Sequence, residues 1–406
     1  MSRPFDLIVF GATGFTGRLV AEYLSTHHSA GGALRWAIAG RSLRKLEQVR
    51  ELIGASDALP LIVADASEKV ELTALVRQAR VVISTVGPYQ QHGQPLVTTC
   101  AHAGTDYVDL CGEPAWMAQM IPLLQPLAAQ SGARIVFSCG FDSIPFDLGV
   151  VFLQHEALRR FGQPLQQVHG RVVAIKGGPS GGTIASAMAT FEAMGSDVGV
   201  ARTMADPFAL TPGFRGPVQP DTSGAVYDEL AKSWAAPFVM ATINTKNVHR
   251  TNALTGHPWG RDFIYDERLL TGPGGAGQRR ARRLARLDRV QSLLLGFGPT
   301  RALLRRFALP QPGQGPSPRQ RETGHFELSF SGRSQDGRAL RAKVTGDRDP
   351  GYGSTSKMVA EAALCLLQDV DHGMTAGGVW TPGAAMGLAL VRRLRAKAGL
   401  GFEIEA

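Results

Sequence analysis

Residues 6–17 have the sequence DLIVFGATGFTG, an apolar run followed by three glycines at three-residue spacing. The run DLIVF is typical of a strand that is covered on both faces of a sheet. Apolar residues then recur at helical spacing as far as Leu24, so the glycines lie at a strand-to-helix turn. Gly11 would permit a tight turn, Gly14 would let the backbone approach a ligand, and Gly17 would let the helix pack closely on the strand. The stretch predicts the first βα unit of a parallel sheet.

The residues after this unit continue the alternation of strand and helix. Short connections rich in Gly and Pro separate the runs, as βα units require. The further strand-like runs are 35–39, 59–64, 80–85, 105–110 and 133–138. Such a pattern predicts an α/β fold with a Rossmann-type, doubly wound parallel sheet.

The pattern changes after about residue 150. Strand-like alternation returns at 168–175, 324–331 and 338–346, and the last part of the chain is helical at 354–367 and 383–397. We therefore predict three parts. They are a Rossmann domain over 1–150, a mixed α+β substrate or oligomerisation domain over 151–350, and C-terminal helices over 351–406 that pack back on the Rossmann domain.

Composition bounds the class of protein. The 406 residues include 44% hydrophobic and 19% charged residues, which excludes global disorder and suits two domains or one enlarged α/β domain. The 43 Lys+Arg against 34 Asp+Glu give a formal net charge of +9, which favours an anionic partner. Aromatic residues reach only 7% and no zinc-finger spacing occurs, so nucleic acid is the weakest candidate.

Cysteine usage and hydropathy predict the compartment. The four cysteines, Cys100, Cys111, Cys139 and Cys365, include no CxxC pair, so neither a disulfide framework nor a metal site is expected. The sequence begins without separate charged and apolar signal regions. It also has no apolar stretch near the roughly 20 residues that span a bilayer. We expect a cytoplasmic protein, with peripheral contact to an anionic membrane left open.

The glycine turn suits the diphosphate of a dinucleotide. Backbone N–H groups and the positive end of the helix dipole attract phosphate, although ordinary turns also use glycine. Its place at the first βα junction of an alternating pattern favours the cofactor interpretation. The residues predicted to surround the diphosphate are Gly11, Thr13, Gly14, Phe15, Thr16 and Gly17.

The second strand indicates which dinucleotide is bound. It ends at Ala39-Gly40-Arg41-Ser42 with no acid nearby, whereas enzymes specific for NAD place an Asp or Glu there. Arg41 predicts NADP(H), because a guanidinium pairs with a phosphate in a forked, charge-assisted way. A solvated arginine that opens a helix is the alternative. Asp65, after the third strand, could accept from the adenine amino group or could form a simple turn.

Residues 84–89 follow the fourth strand at the carboxyl edge of the sheet, where ligands bind in open α/β sheets. Ser84, Thr85, Val86 and Gly87 leave the fourth strand, and the lack of a side chain at Gly87 would let the nicotinamide end lie against backbone. Tyr89 could donate a proton, although a tyrosine that fills the crevice wall is the stronger interpretation.

Asp142 follows the sixth strand, within Gly140-Phe141-Asp142-Ser143. It is a candidate catalytic residue that could orient a proton donor or the nicotinamide amide, and helix capping is the alternative. Glu113 similarly is either a site carboxylate or the first acid of a helix. The cysteines are expected to be small core residues rather than nucleophiles.

These motifs carry a resemblance to a known family. The chain resembles the saccharopine dehydrogenase-like oxidoreductases, and within them the trans-acting enoyl reductases of mycobacterial lipid synthesis. The segments that carry the resemblance are GATGFTGRLVAEYL (11–24), AGRS (39–42), ISTVGPYQQHGQPLV (83–97), AGTDYVDLCGEP (103–114), SCGFDSIPFDLG (138–149), GDRDPGYGSTSKMVAEAALCL (346–366) and GGVWTPGAAMG (377–387). The resemblance implies a Rossmann domain that binds NADP(H), joined to an α+β domain. It also implies reduction of a carbon–carbon double bond on a lipid or polyketide intermediate, but it identifies no catalytic residue.

The segment 278–306 is strongly basic and bears on partners. Its arginines alternate with leucines and a valine, as in a helix that lies on anionic lipid or docks an acidic acyl-carrier domain. A solvated helix face is the alternative. We expect an apolar acyl substrate, free or bound to a carrier, and leave a homodimer open. The alternative functions are a C–N or carbonyl reductase of the saccharopine type, and a nucleotide-binding, lipid-associated protein without turnover.

Overall fold

Seven parallel strands form the first sheet of the structure, a computed structural model that describes residues 3–28, 32–178, 181–296 and 315–405, with the side chains of 181–185 excepted. The strands are β1 (Phe5–Phe10), β2 (Trp36–Gly40), β3 (Leu61–Val63), β4 (Ala79–Ser84), β5 (Asp106–Asp109), β6 (Arg134–Val136) and β13 (Gly378–Trp380). Their order across the sheet is β13-β6-β5-β4-β1-β2-β3. The Rossmann-type doubly wound sheet predicted from the sequence is thereby confirmed.

Five helices connect β1 to β6 in turn, and a sixth leads from β6 to the second sheet. They are α1 (Phe15–His27), α2 (Leu43–Leu52), α3 (Lys69–Gln78), α4 (Tyr89–Ala103), α5 (Pro114–Ser131) and α6 (Ile144–Phe161). The chain passes from β1 to β2 and β3 on one side, then returns to place β4 on the other side of β1. The carboxyl ends of β1 and β4 therefore flank the crevice where open α/β sheets bind ligands.

A second sheet of seven strands contains both parallel and antiparallel pairs. Its strands are β7 (Leu165–Lys176), β8 (Val226–Asp228), β9 (Ser233–Pro237), β10 (Ile264–Gly272), β11 (His325–Ser334), β12 (Ala339–Gly346) and β14 (Leu400–Glu405). Their order is β14-β12-β11-β7-β10-β9-β8, and the pair β7–β10 is parallel. The predicted second, mixed α+β part is confirmed in its fold.

The remaining helices lie around this sheet and between the two sheets. They are α7 (Gly181–Ser196), α8 (Val198–Ala205), α9 (Ala241–Leu254), α10 (Gly274–Gly296), α11 (Pro318–Thr323), α12 (Thr355–Gln368) and α13 (Pro382–Lys397). A single π-helical turn, Pro350–Ser354, precedes α12. Within the described ranges no helix has the length and apolar character needed to cross a membrane. The predicted basic segment is described as far as Gly296, and Arg301, Arg305 and Arg306 lie outside the described residues.

The C-terminal part of the chain contributes to both sheets. β13 pairs with β6 in the first sheet, and β14 pairs with β12 in the second. Neither strand was expected from the sequence. β13 has only three residues, and the alternation of Leu400, Phe402 and Ile404 with Gly and Glu in β14 was missed. The division at 1–150, 151–350 and 351–406 stays a prediction.

One apolar core joins the sheets. Helix α6 packs against β11, and a Cβ on Gly149 would lie 2.4 Å from the Phe330 ring. Phe146, Phe330 and Tyr265 are buried in the same cluster as the apolar residues on one face of β1 and β4, which are Leu7, Val9, Val81 and Ile83. This packing places helices α6 and α9 beside the carboxyl edge of the first sheet.

Candidate functional site

The glycine turn leaves no room for side chains. Gly11 has φ +88°, a left-handed conformation that favours glycine, and its N–H donates to the carbonyl oxygen of Ala39 at 3.0 Å. A Cβ on Gly17 would lie 2.2 Å from the carbonyl oxygen of Gly11. The start of α1 is therefore pressed against the end of β1, as the spacing of the glycines predicts.

The amino end of α1 is not capped by a side chain. Gly14 is the N-cap residue, no side chain of the described residues bonds to it as a cap, and the first turn contains no acid. The Thr85 hydroxyl donates to the carbonyl oxygens of Phe10 and Gly11 at 3.1 and 3.2 Å, which fixes the end of β4 beside the turn. The first-turn N–H groups and the positive end of the dipole thus suit an anion.

Phe15, the first residue of α1, also anchors a later part of the chain. Its ring packs edge-on against Tyr352 with centroids 5.0 Å apart. The guanidinium groups of Arg18 and Arg321 lie 5.6 and 5.7 Å from the ring centroid. A Cβ on Gly315 would lie 2.5 Å from the same ring. The GDRDPGYGS segment and α11 are thereby held beside the glycine turn, a role that the sequence did not indicate.

Arg41 and Asp65 lie together beyond the end of β2. Arg41 is exposed, and its charge contributes to lowering the pKa of Asp65. The larger cause is the backbone N–H of Ser67, which donates to the Asp65 carboxylate at 2.9 Å, and the Ser67 hydroxyl also donates to it. Asp65 thus forms the simple turn that was the alternative, and its contact with adenine stays a prediction. The contact of Arg41 with a 2′-phosphate likewise stays a prediction.

Tyr89 is buried and its hydroxyl is already bonded twice. The hydroxyl donates to the carbonyl oxygen of Ser84 at 3.0 Å and accepts from the N–H of Leu110 at 3.1 Å. Burial is the main cause that raises its pKa well above the usual value. The geometry favours the crevice-wall interpretation, because a hydroxyl that ties the ends of β4 and β5 together has no free proton to transfer.

Glu113 joins the Rossmann part to helix α7. Its carboxylate accepts the backbone N–H groups of Tyr89 and Gln90, both at 2.9 Å, and the hydroxyl of Ser186 at 2.8 Å. Glu113 is the N-cap residue of α5, yet its side chain caps the neighbouring helix α4. Both of its carboxylate oxygens accept structural hydrogen bonds, so we do not assign it a catalytic role.

Asp142 lies in a buried polar cluster next to the end of β6. Its Oδ1 atom is buried and has no hydrogen-bond partner among the described residues, and burial raises the pKa of the carboxyl to about 7. The adjacent Ser143 accepts from Asn247 of α9 at 2.8 Å. Glu267 of β10 accepts from Asn244 at 2.9 Å and from Tyr265 at 2.8 Å. Capping of α6 by Asp142, the alternative interpretation, does not occur, because Ser143 is the N-cap residue.

Sequence reasoning missed the contribution of α9 to this cluster. Asn244, Asn247 and Glu267 come from the second part of the chain, more than a hundred residues after Asp142. A signal was nevertheless present, because TINTKNVHRTN (242–252) has helix-forming context but no continuous apolar face. Seven of its polar residues are buried: Asn244, Lys246, Asn247, His249, Arg250, Thr251 and Asn252. A helix that is polar all round and still buried indicates a functional or tightly bonded environment.

Comparisons with known proteins identify a family model and full-length relatives that this chain is similar to. The model of the saccharopine dehydrogenase NADP-binding domain matches residues 7–136. A Mycobacterium tuberculosis protein that carries the name of a trans-acting enoyl reductase is 40% identical over 99% of this chain and 97% of its own length. The trans-acting enoyl reductase of Mycobacterium bovis is 38% identical over 97% of this chain and 96% of its own length.

One solved structure bears on the fold. Apo saccharopine dehydrogenase (L-Glu forming) from Saccharomyces cerevisiae superposes with a TM-score of 0.54 at 13% sequence identity. The match covers 99% of this chain and 100% of that chain. At this identity the likeness concerns the fold alone, and it extends over both sheets.

Proposed function

We propose, since this chain belongs to the family of the trans-acting enoyl reductases, that it reduces the carbon–carbon double bond of an acyl chain presented by a partner protein. The chain is an NADP(H)-dependent oxidoreductase, and its NADP-binding domain includes residues 7–136. The enoyl substrate and its carrier are the finer part of the proposal. The alternative is reduction of a C–N or carbonyl bond, as in saccharopine-type enzymes.

The observation that carries the proposal is the uncapped amino end of α1 against a turn that excludes side chains. The fit to a dinucleotide is good, because backbone N–H groups and the helix dipole meet at the carboxyl ends of β1 and β4. We assign the diphosphate to Gly11, Thr13, Gly14, Phe15, Thr16 and Gly17. Arg41 would hold the 2′-phosphate, with Asp65 beside the adenine. Ser84, Thr85, Val86 and Gly87 would line the nicotinamide side. Bound in this way, the reduced nicotinamide would supply a hydride.

Conjugate reduction also needs a site that excludes water and fixes the acyl thioester. The rings of Tyr89 and Trp116, whose centroids are 5.9 Å apart, are buried beside the ends of β4 and β5. They belong to an apolar cluster, so we propose that the adjoining part of the substrate crevice has low polarity. An apolar acyl chain would be favoured there over a charged dicarboxylate.

Helix α10 supports docking of an acidic carrier. It is anchored by its first turns, since a Cβ on Gly277 would lie 1.9 Å from the carbonyl oxygen of Gly272 and Ala281 is fully buried. Its other face carries six exposed arginines: Arg279, Arg280, Arg282, Arg283, Arg286 and Arg289. None of them forms an ion pair with an acid of the described ranges. Leu287, Val290 and Leu293 are 51, 51 and 69% exposed on the same helix.

A basic face with exposed apolar side chains suits an acidic helical surface that carries a hydrophobic cargo. Charge complementarity speeds encounter and sets orientation. The net charge of +9 also favours an acidic partner. An apolar acyl chain has to be delivered by a partner, which favours the same kind of docking. We therefore propose that α10 docks the acyl-carrier domain, and we treat binding to an anionic membrane as the outcome that would displace this proposal.

The docking proposal is tested with carrier-bound and carrier-free forms of one enoyl chain. We expect R279E/R282E/R283E/R286E to raise KM for the carrier-bound chain at least about tenfold and to leave KM for the pantetheine thioester unchanged. R77E/R392E, which alters exposed arginines elsewhere, is the matched control. Equal KM values for carrier-bound chain, together with lost sedimentation on anionic vesicles, would assign α10 to the membrane instead.

The reaction is tested by following NADPH oxidation with a panel of enoyl thioesters, ketones and imines. We expect turnover with α,β-unsaturated thioesters and none with the saturated ketones or imines. The opposite selectivity would replace enoyl reduction by the saccharopine-type alternative. NADPH binding without turnover on any member of the panel would refute the proposed substrate class.

A further inference from the structure

We propose that Asp142 is the group that delivers a proton to the α-carbon of the substrate, from a buried polar cluster formed between the two sheets. The inference rests on the proposed enoyl reduction and adds to it the residue that completes the chemistry. The cluster consists of Asp142, Ser143, Asn244, Asn247 and Glu267.

Helix α9 places this cluster at the carboxyl edge of the first sheet. Asn247 donates to the Ser143 hydroxyl at the end of β6, and one turn later Thr251 contacts Thr381 at the end of β13 with 2.5 Å between the hydroxyl oxygens. Followed from Thr251 towards its amino end, α9 therefore runs across the carboxyl ends of the strands towards β5 and β4. Ile243, at its amino end, packs in the same apolar cluster as Tyr89, which follows β4.

The acceptors in the cluster outnumber the donors. The Oδ1 atoms of Asp142, Asn244 and Asn247 are all buried, and none has a hydrogen-bond partner among the described residues. A buried acceptor without a donor is costly, so native proteins seldom keep several together. Protonation of Asp142 converts one of the three acceptors into a donor. The cluster therefore favours an acid at residue 142, which is what a proton-delivery step requires.

Burial supports the same protonation state. It raises the pKa of Asp142 to about 7 and the pKa of Glu267 to about 8, and the charge of Asp142 adds to the second shift. Because the charge of Asp142 adds to the shift of Glu267, ionisation of one carboxyl disfavours ionisation of the other. The pair therefore favours a state that keeps at least one proton in the cluster.

The other titratable groups on the elements packed around Asp142 are held by different partners. Asp147 of α6 accepts from Thr251 and from the N–H of Gly383. Asp109 of β5 accepts from the N–H groups of Cys111 and Ser138 and from the Tyr107 hydroxyl. Asp266 of β10 pairs with His169 and Arg171, and Lys246 of α9 donates to the carbonyl oxygen of Met204. His249 of α9 is the exception, because its ring packs on Phe208 but its buried Nε2 atom has no hydrogen-bond partner among the described residues.

The proposed step is balanced as follows. A hydride forms a C–H bond at the β-carbon, and the π electrons of the double bond move to give an enolate of the thioester. Asp142 then transfers its carboxyl proton to the α-carbon, which forms the second C–H bond and leaves a carboxylate. Solvent returns the proton to Asp142 after the saturated product leaves. The hydride donor is oxidised, the alkene is reduced, and no other reactant is needed.

Asp147 offers a matched control. It lies five residues later and is fully buried, whereas Asp142 is half-buried with only its Oδ1 atom shown to be inaccessible, and burial raises the pKa of Asp147 to about 7. Unlike Asp142, it has a donor on each carboxylate oxygen, with Thr251 at 2.6 Å and Gly383 at 2.7 Å. Substitution of either aspartate removes one buried carboxyl, but only Asp142 is proposed to react.

The test compares Asp142→Asn with Asp147→Asn in the full-length protein, using NADPH and an enoyl thioester that the wild type reduces. We expect D142N to lower kcat by a factor of about 10² to 10⁴, to keep the Kd for NADPH, and to lose the decline of wild-type kcat above about pH 7. D147N should lower the melting temperature and keep kcat within about threefold.

Equal kcat values for D142N and the wild type would overturn the assignment and leave the enoyl reductase proposal intact. Should D142N fail to fold, the wild-type profile decides, because a kcat that does not fall between pH 6 and 9 excludes an acid with a pKa near 7. Failure of the wild type on every enoyl thioester would instead refute the proposed function.

Discussion

The glycine corner, which is the turn formed by Gly11, Gly14 and Gly17, and the Asp142 cluster present opposite chemistry at one edge of the first sheet. At the corner, Gly14 and the following turn direct backbone N–H groups outward with no side-chain cap, so the surface is rich in donors. In the cluster, acceptor oxygens of Asp142, Asn244 and Asn247 are buried without partners among the described residues. The first region suits a ligand group that is permanently anionic, and the second suits a group that holds and releases a proton. An enzyme that binds a dinucleotide and completes a reduction needs both.

The largest effect is expected from Gly17→Ala, which alters the glycine corner and leaves the Asp142 cluster unchanged. The added Cβ would lie 2.2 Å from the carbonyl oxygen of Gly11, so α1 must move away from β1. We expect NADPH affinity to fall about 100-fold or more, measured by fluorescence titration. Gly224→Ala is the control, because no atom lies within 4 Å of its Cβ position. Unchanged NADPH affinity in G17A would show that the corner does not hold the diphosphate.

A smaller and selective effect is expected from Arg41→Ala. Loss of a charge-assisted, forked contact with the 2′-phosphate should weaken NADPH binding about 10- to 100-fold and leave NADH binding within about twofold. Arg77→Ala, which changes another exposed arginine, should alter neither affinity. An equal loss for both nucleotides in R41A would indicate a general effect on the corner, and an unchanged preference would refute the assignment of Arg41.

The pH dependence of stability tests the protonation state of Asp142 and of two other buried carboxyls. Burial raises the pKa of Asp109, Asp142 and Asp147 from the usual 3.8 to about 7. The folded protein therefore keeps protons on these three carboxyls that the unfolded chain has released between about pH 4 and pH 7, so they make stability fall as pH rises through this window. His249, whose pKa burial lowers from 6.5 to about 3, opposes them below about pH 6.5. Asp228, whose pKa is lowered, titrates below it.

This dependence is measured as the melting temperature between pH 5 and pH 8. We expect the melting temperature of the wild type to fall across the range, and D142N and D147N each to give a shallower decline because one buried carboxyl is removed. A decline in D142N as steep as in the wild type would mean that the carboxyl of Asp142 is ionised in the folded state, which would contradict the proton-delivery proposal.

The smallest effect on activity is expected from Tyr89→Phe. The substitution removes the donor to Ser84 and leaves the N–H of Leu110 without its acceptor, so we expect a loss of about 1–3 kcal/mol in stability. The kcat value of the folded enzyme should stay within about twofold of wild type. A kcat loss of 100-fold at unchanged NADPH affinity would make Tyr89 the proton donor and displace Asp142.

The two regions also differ in how far the sequence predicts them. The corner is local: the glycines, the apolar run before them and the residues after β2 lie within about 40 positions, and their spacing is dictated by backbone sterics. The cofactor class, the Rossmann-type sheet and the resemblance to the trans-acting enoyl reductases were therefore predicted from the sequence, and the comparisons confirm them. The roles of individual residues at the corner stay predictions.

The cluster is formed by tertiary packing, and for that reason it was only partly predicted. Asp142 was expected near the crevice because it follows a strand, but Asn244, Asn247 and Glu267 meet it only when α9 and β10 pack on α6. Phe15 illustrates the same limit, since its contact with Tyr352 joins residues more than 300 positions apart. Periodicity does not specify such contacts, although the polar and buried helix α9 marks where to look.

Conjugate reduction is tested most directly by following the hydrogen atoms that are added to the two carbons of the double bond. The wild type is incubated in ordinary water with an enoyl thioester and NADPH that carries deuterium at both C4 positions of the nicotinamide, and the product is analysed by NMR. We predict one deuterium on the β-carbon and only solvent hydrogen newly added to the α-carbon. Deuterium on the carbonyl carbon, or no transfer to any enoyl thioester, would contradict conjugate reduction.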